Sequence, residues 1–164
     1  MSTTNFQRLI ALLSEANVEY VMIGGLAATI HGLAHVTYDV DICYHRSLTN
    51  VERLCQALAT VHPALRGAPN DLPFRFDPPA VLAGLNFTLD TDIGALDLLG
   101  EVQPLGEYPQ VVHHSEEANL FGFRVRVLSL EALIEAKRTA GRTKDQLVIP
   151  GLEALLELRK RPPE

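Results

Sequence analysis

The sequence predicts a single α/β (α+β) domain, a mixed sheet flanked by helices and completed by a helical C-terminal segment. Three observations lead there. Short apolar or alternating runs at residues 20–23, 38–44, 85–89 and 95–99 read as strands. Runs with apolar residues three and four apart, beginning with Phe6, Leu9, Ile10, Leu13 and Ala16, read as amphipathic helices set between those strands. The length, 164 residues, fits one domain with its own core. Together they imply helices bracketing about four to six strands.

Taken in order, Asn5 or Thr4 caps the first helix and Asn17 stops it. Residues 20–23 form a buried strand ending at Gly24-Gly25, and 26–31 a short apolar helix closed by Gly32. On the strand at 38–44, Val40, Ile42 and Tyr44 share one face and Asp39, Asp41 and Cys43 the other. Leu48, Val51, Leu54, Cys55 and Leu58 mark a helix over 47–60. Residues 61–80 are broken by Pro63, Gly67, Pro69, Pro73, Pro78 and Pro79 and read as an irregular excursion, with a short strand or turn around Phe74-Arg75-Phe76. Residues 85–89 and 95–99 make a hairpin, 110–113 an edge strand, and 121–128 a strand with Phe123, Val125 and Val127 inward. The C-terminal helices occupy 129–161. Ser129 caps the first and Gly141 ends it; a short helix starts at Thr143, and Pro150 opens the last one.

Composition narrows the function. Hydrophobic residues make up 47% and charged residues 21%, which is globular rather than disordered. The net charge of −6 supplies no general field for nucleic acid, so any such contact is a local patch. Cys43 and Cys55 form neither a CxxC pair nor a disulfide framework and fit a reducing compartment. No basic leader precedes an apolar run at Met1-Ser2-Thr3-Thr4-Asn5, and no apolar run approaches the roughly 20 residues of a membrane span. The expectation is a cytoplasmic protein with no membrane partner.

The chemistry concentrates at two places. Gly24-Gly25 ends a strand at a helix start, where backbone N–H groups are free to face an anion. Asp39 and Asp41, two apart on a strand, point to one side. An Asp-Val-Asp-Ile strand also describes an ordinary solvent-facing edge, but aspartate is disfavoured in strands, and Asp97 adds a third carboxylate inside the apolar strand 95–99. Two carboxylates on one strand and one on a neighbour can hold hard divalent cations. Lys137 lies on an alanine-rich helix face, and with Lys144 it is a candidate counter-charge for phosphates; each also reads as a plain helix lysine. Arg124, Arg126, Arg138, Arg142 and Lys144 are candidates to line an acceptor groove. His31 and His35 are four apart, but Gly32 separates them and no further ligand completes a zinc site.

The combination Gly24-Gly25, Asp39-Val40-Asp41 and Asp97 resembles the nucleotidyltransferase fold of the DNA polymerase β superfamily. The run from Gly24-Gly25-Leu26-Ala27 through His31-Gly32 to Thr37-Tyr38-Asp39-Val40-Asp41-Ile42 is similar to small bacterial AbiEii-like toxins and minimal nucleotidyltransferases. Gly94-Ala95-Leu96-Asp97-Leu98-Leu99 and the stretch from Leu133 to Asp145 extend the likeness over about residues 18 to 160. The resemblance implies a transferase moving a nucleoside monophosphate from an NTP to an RNA (tRNA) or protein hydroxyl. Asp39, Asp41 and Asp97 would then be both catalytic and Mg²⁺ (or Mn²⁺) ligands, and Gly24, Gly25, Lys137 and Lys144 would bind nucleotide. It also implies a toxin or phage-defence role with an antitoxin partner. Two positions depart from the pattern: Gly25 replaces a frequent serine, and His35 replaces an arginine. They motivate the alternative of a non-catalytic nucleotide- or partner-binding module. A phosphohydrolase using the same residues is a third reading.

Overall fold

The computed structural model describes residues 3–69 and 71–163. Met1 and Ser2, part of the leader reading, Asn70 in the 61–80 stretch, and Glu164 lie outside the described residues.

Helix α1 (Phe6–Glu15) starts where Asn5 Oδ1 accepts the Arg8 N–H at 3.0 Å, and it buries Leu9, Ile10 and Leu13 fully. Strand β1 (Tyr20–Ile23) is buried along its length, as a central strand covered on both faces must be. Helix α2 (Gly24–Ile30) follows without a loop, and Gly32 turns the chain out of it at φ +110°. Strand β2 (Asp39–Tyr44) buries Val40, Ile42 and Tyr44 completely. Helix α3 (Leu48–Ala59) is capped by Ser47 and packs Val51, Leu54 and Leu58 into the core.

Among the described residues of 61–80 there is one short strand before α4 (Pro78–Ala83), and it is not at Phe74. It is β3 (Ala64–Leu65), paired antiparallel with β4 (Phe87–Thr91), and the Arg66 N–H extends the ladder to the Thr88 carbonyl at 2.9 Å. Phe74 and Phe76 contribute rings instead, Phe76 meeting Phe87 edge-on at 5.9 Å. Strands β4 and β5 (Gly94–Leu99) form the expected hairpin. A separate two-stranded ribbon, β6 (Glu101–Val102) with β7 (Gly106–Glu107), follows.

The edge strand expected at 110–113 is absent. Those residues belong to α5 (Tyr108–Val111) and a 3-10 turn (Val112–His114). Pro109 favours a first helical turn, and Gln110 Oε1 accepts the Glu107 N–H at 3.1 Å, so local capping overrides the short apolar run. The edge strand is β8 (Ser115–Leu120), hairpinned to β9 (Phe123–Leu128). Helix α6 (Leu130–Ala140) has Ser129 as its cap and Gly141 at φ +64° as its stop. The helix break expected at Pro150 is also absent, because α7 (Thr143–Lys160) runs through it. Pro150 is exposed, so water can take the Gln146 carbonyl that the missing N–H leaves free.

Among the described residues the main sheet has seven strands in the order β3-β4-β5-β2-β1-β9-β8, one more than the upper end of the expected four to six, because both edges are short or polar. Its centre sets the site. Strand β2 lies antiparallel to β1 with Asp41 opposite Ile23, and parallel to β5 with Asp41 opposite Asp97. Helix α6 packs on α7 and α2, which brings the C-terminal segment over the Gly24-Gly25 turn. Among the described residues no helix is long and apolar enough to cross a membrane.

Candidate active site

Strand alternation and register bring Asp39, Asp41 and Asp97 to one face, with one carboxylate oxygen from each within 4.8 Å of the others. Three negative charges at that distance in a partly dry site cannot all be comfortable. Burial first, then the neighbouring charges of Asp39 and Asp97, pushes the Asp41 carboxyl up from 3.8 to about 8. Burial and the Asp97 charge raise Asp39 as well. Asp97 Oδ1 is buried with no hydrogen-bond donor aligned on it. Arg66 Nη2 lies 2.9 Å from that oxygen, but as a misaligned ion pair rather than a hydrogen bond. An oxygen-only donor set with surplus negative charge fits a hard divalent cation such as Mg²⁺ or Mn²⁺.

Beside the carboxylates, Gly24 takes φ +71°, and a Cβ there would collide with the Asp41 side chain. Only glycine lets the β1–α2 backbone approach so closely. At Gly25 a Cβ would sit 2.8 Å from Thr37 Oγ1 and 3.2 Å from His35 Nε2. Thr37 therefore fills the space that a serine at position 25 would need, and it supplies a hydroxyl at the turn. It is held by donating to the Asp39 carbonyl at 3.2 Å. Gly25→Ser is accordingly expected to lower stability, by about 1–3 kcal/mol, rather than to add a phosphate contact. Urea unfolding with and without NTP measures both effects.

The structure brings Lys137 and Lys144 to the same place. Both line the two connected cavities that meet at Asp39 and Asp41. The smaller lobe, ≈ 280 Å³, is walled by Gly24, Gly25, His35 and Thr37, with Lys137, Arg142 and Lys144 facing Asp39, Asp41 and Asp145. The larger, ≈ 630 Å³, extends past Asp97 between Phe87, Leu98, Leu99, Val102, Leu133 and Ala140 and is mostly apolar.

Of the candidate groove arginines only Arg142 lines these cavities; Arg124 and Arg126 pair with Glu117, and Arg138 with Glu153. His31 is buried, its Nε2 2.7 Å from the Leu128 carbonyl and its Nδ1 accepting from Arg159 at 2.8 Å, a packing role.

Three residues were not assigned to this site from the sequence. Thr37 is one. Asp145 is another: it is 1% exposed and holds Arg142 through two bonds of 2.6 and 3.2 Å and Lys137 Nζ at 3.4 Å. Burial alone would raise its carboxyl, but the two cations hold it below the usual carboxylate value. Arg66 is the third. A Lys-Asp pair at a helix start was visible at Lys144-Asp145, whereas nothing in the sequence placed Arg66 beside Asp97.

The architecture is the nucleotidyltransferase fold. The lincosamide antibiotic adenylyltransferase LnuA, in its lincomycin-bound crystal structure, superposes with a TM-score of 0.60 at 15% identity, covering 94% of this chain and 99% of that one. A candidate nucleotidyltransferase from Thermotoga maritima superposes with a TM-score of 0.54 at 14% identity, covering 97% and 98%. No protein-family profile and no curated protein matches the sequence.

Proposed function

We propose that the protein is a divalent-metal-dependent nucleotidyltransferase that moves a nucleoside monophosphate from an NTP to a hydroxyl group. The observation that carries this reading is the convergence of Asp39, Asp41 and Asp97 beside the Gly24-Gly25 turn and the Lys137, Arg142 and Lys144 cations. Asp39, Asp41 and Asp97 would hold Mg²⁺ or Mn²⁺, which supplies charge stabilisation for the attacking and leaving oxygens. The protein's own groups do the rest. The glycine turn and the three cations bind and orient the triphosphate. Asp97, facing the apolar lobe, takes the proton of the acceptor hydroxyl. The hydroxyl oxygen bonds to the α-phosphorus, the bond from that phosphorus to the bridging oxygen breaks, and pyrophosphate leaves.

The shape of the larger lobe supports a small-molecule acceptor. A mostly apolar cavity of ≈ 630 Å³ matches small-molecule sites, and apart from the cations it shares with the smaller lobe its polar lining is Asn86, Thr88, Glu101, Gln103 and Thr139 with the carboxylates. A polynucleotide end would meet a chain of net charge −6 there without a basic track. The reading is therefore a hydroxyl-bearing small molecule with an apolar body; the LnuA structure likewise holds a small molecule, lincomycin. Incubation with α-labelled NTPs and Mg²⁺, against a panel of such compounds, total RNA and cell extract, tests it. Labelled small product is expected. Labelled RNA or protein instead would move the acceptor to the macromolecules implied by the sequence resemblance, and nucleotide binding without any product would favour the non-catalytic module. In each transfer assay the Asp39→Asn, Asp41→Asn double variant should lose at least about 10³-fold in rate; unchanged transfer removes these residues from the site. The toxin reading has its own readout, growth arrest on expression that Asp97→Asn relieves.

A further inference from the structure

Arg66 reaches the acidic site from the β3 edge of the sheet, whereas Lys137, Arg142 and Lys144 come from α6 and the start of α7. It follows the two-residue edge strand β3, and its side chain lies across β4 to reach β5 and β2. The guanidinium is fixed by its own neighbours. Nε donates to Asp90 Oδ1 at 3.0 Å and Nη2 to the Leu89 carbonyl at 2.8 Å. That anchoring leaves Nη2 2.9 Å from Asp97 Oδ1 and Nη1 3.9 Å from Asp39 Oδ2. Among the described residues, Asp39 and Asp97 form ion pairs with Arg66 alone, and Asp41 forms none. One edge of the triad thus carries a permanent positive charge in ion-pair contact, whereas the other faces Lys144 and Arg142 only at longer range.

We infer that Arg66 is a built-in cation that takes the place of one of the two divalent ions the three carboxylates could otherwise hold, so that the protein alone binds a single divalent ion on the Asp39–Asp41 side. This rests on the reading of the triad as a metal site. Guanidinium is always charged and its planar fork is matched to carboxylate oxygens, so pH does not remove it. A dication placed between Asp39 and Asp97 would share those oxygens with it at close range, and like charges there repel. The anchors to Asp90 and the Leu89 carbonyl hold the group in place rather than letting it swing out.

Mn²⁺ titration of the nucleotide-free protein, followed by the electron paramagnetic resonance signal of free Mn²⁺, tests the inference without any turnover. The wild-type chain is expected to bind one ion. Arg66→Gln should bind two, the second at least tenfold more tightly than any second ion on the wild type. Asp90→Asn, which loosens the anchor and leaves the triad untouched, should tighten that second site by a smaller factor, and Arg66→Lys, which keeps the charge, should stay at one ion. Circular dichroism of each variant establishes that it is folded. Two ions of similar affinity on the wild type, or one ion on both wild type and Arg66→Gln, would overturn the role of Arg66 while leaving the metal site standing. No binding to either protein would overturn both.

Discussion

Asp41→Asn is expected to make the metal-free protein more stable while it abolishes the proposed nucleotidyl transfer. Asp41 has its folded-state value raised to about 8, by burial first and by Asp39 and Asp97 second. In the unfolded chain the same carboxyl titrates near 3.9. Between those values the folded protein holds a proton that the unfolded chain has lost. The contribution to stability is thus fully present below about pH 4 and drains away as pH rises through about 8. Asparagine is nearly the same shape and carries no charge at any pH. The variant should therefore match the wild type in acid and exceed it at pH 8 by about 1–3 kcal/mol, or roughly 3–10 °C in Tm. Thermal unfolding across pH 4–9 in chelator measures the slope. Adding Mn²⁺ should raise the Tm of the wild type at pH 8 and leave the variant nearly unmoved, since only a ligand that prefers the folded state stabilises it. A wild-type Tm that is flat or rising from pH 5 to 8 would refute the account of Asp41.

Local sequence signals mark some parts of the site and leave others unmarked. Asp39, Asp41 and Asp97 stand out because aspartate is out of place in strands, and strand alternation fixes the side to which each points. Gly24 announces itself because the turn into α2 has no room for a Cβ. Arg66 is invisible for the opposite reason. It sits in a proline-broken stretch with no periodicity, and its position depends on a two-residue pairing of β3 with β4 that no local signal specifies. Asp145 reads as one more charge in Arg142-Thr143-Lys144-Asp145, and only the packing of α7 on α6 shows that it is buried. The break expected at Pro150 but not found and the missed helix at Tyr108–Val111 have a common cause: each turned on whether water or a neighbouring side chain satisfies a particular backbone group. The larger cavity is a product of tertiary packing, so its lining residues look like ordinary core positions in the sequence.

Asp145→Asn should lower stability more than any other conservative substitution near the site, and pyrophosphate should recover much of the loss. The carboxylate is 1% exposed, bonded to Arg142 through both oxygens and 3.4 Å from Lys137 Nζ. Removing one partner of a buried ion pair costs about 3–5 kcal/mol, because the remaining charge is left without compensation. Arg142 can turn to water, since its side chain is 60% exposed, but Lys137 is 14% exposed and cannot. Asp145 also lies in the first turn of α7, where a negative charge complements the helix dipole and asparagine does not. The expected net loss is about 2–4 kcal/mol, read by urea unfolding at low salt. If Lys137 and Arg142 face the triphosphate, a bound polyanion takes over the compensation that Asp145 gives in the free protein. Millimolar pyrophosphate should then stabilise the variant more than it stabilises the wild type. Equal stabilisation of the two proteins would show that these cations serve the fold and not the nucleotide, and would leave Lys144 and the Gly24-Gly25 turn as the phosphate-binding groups.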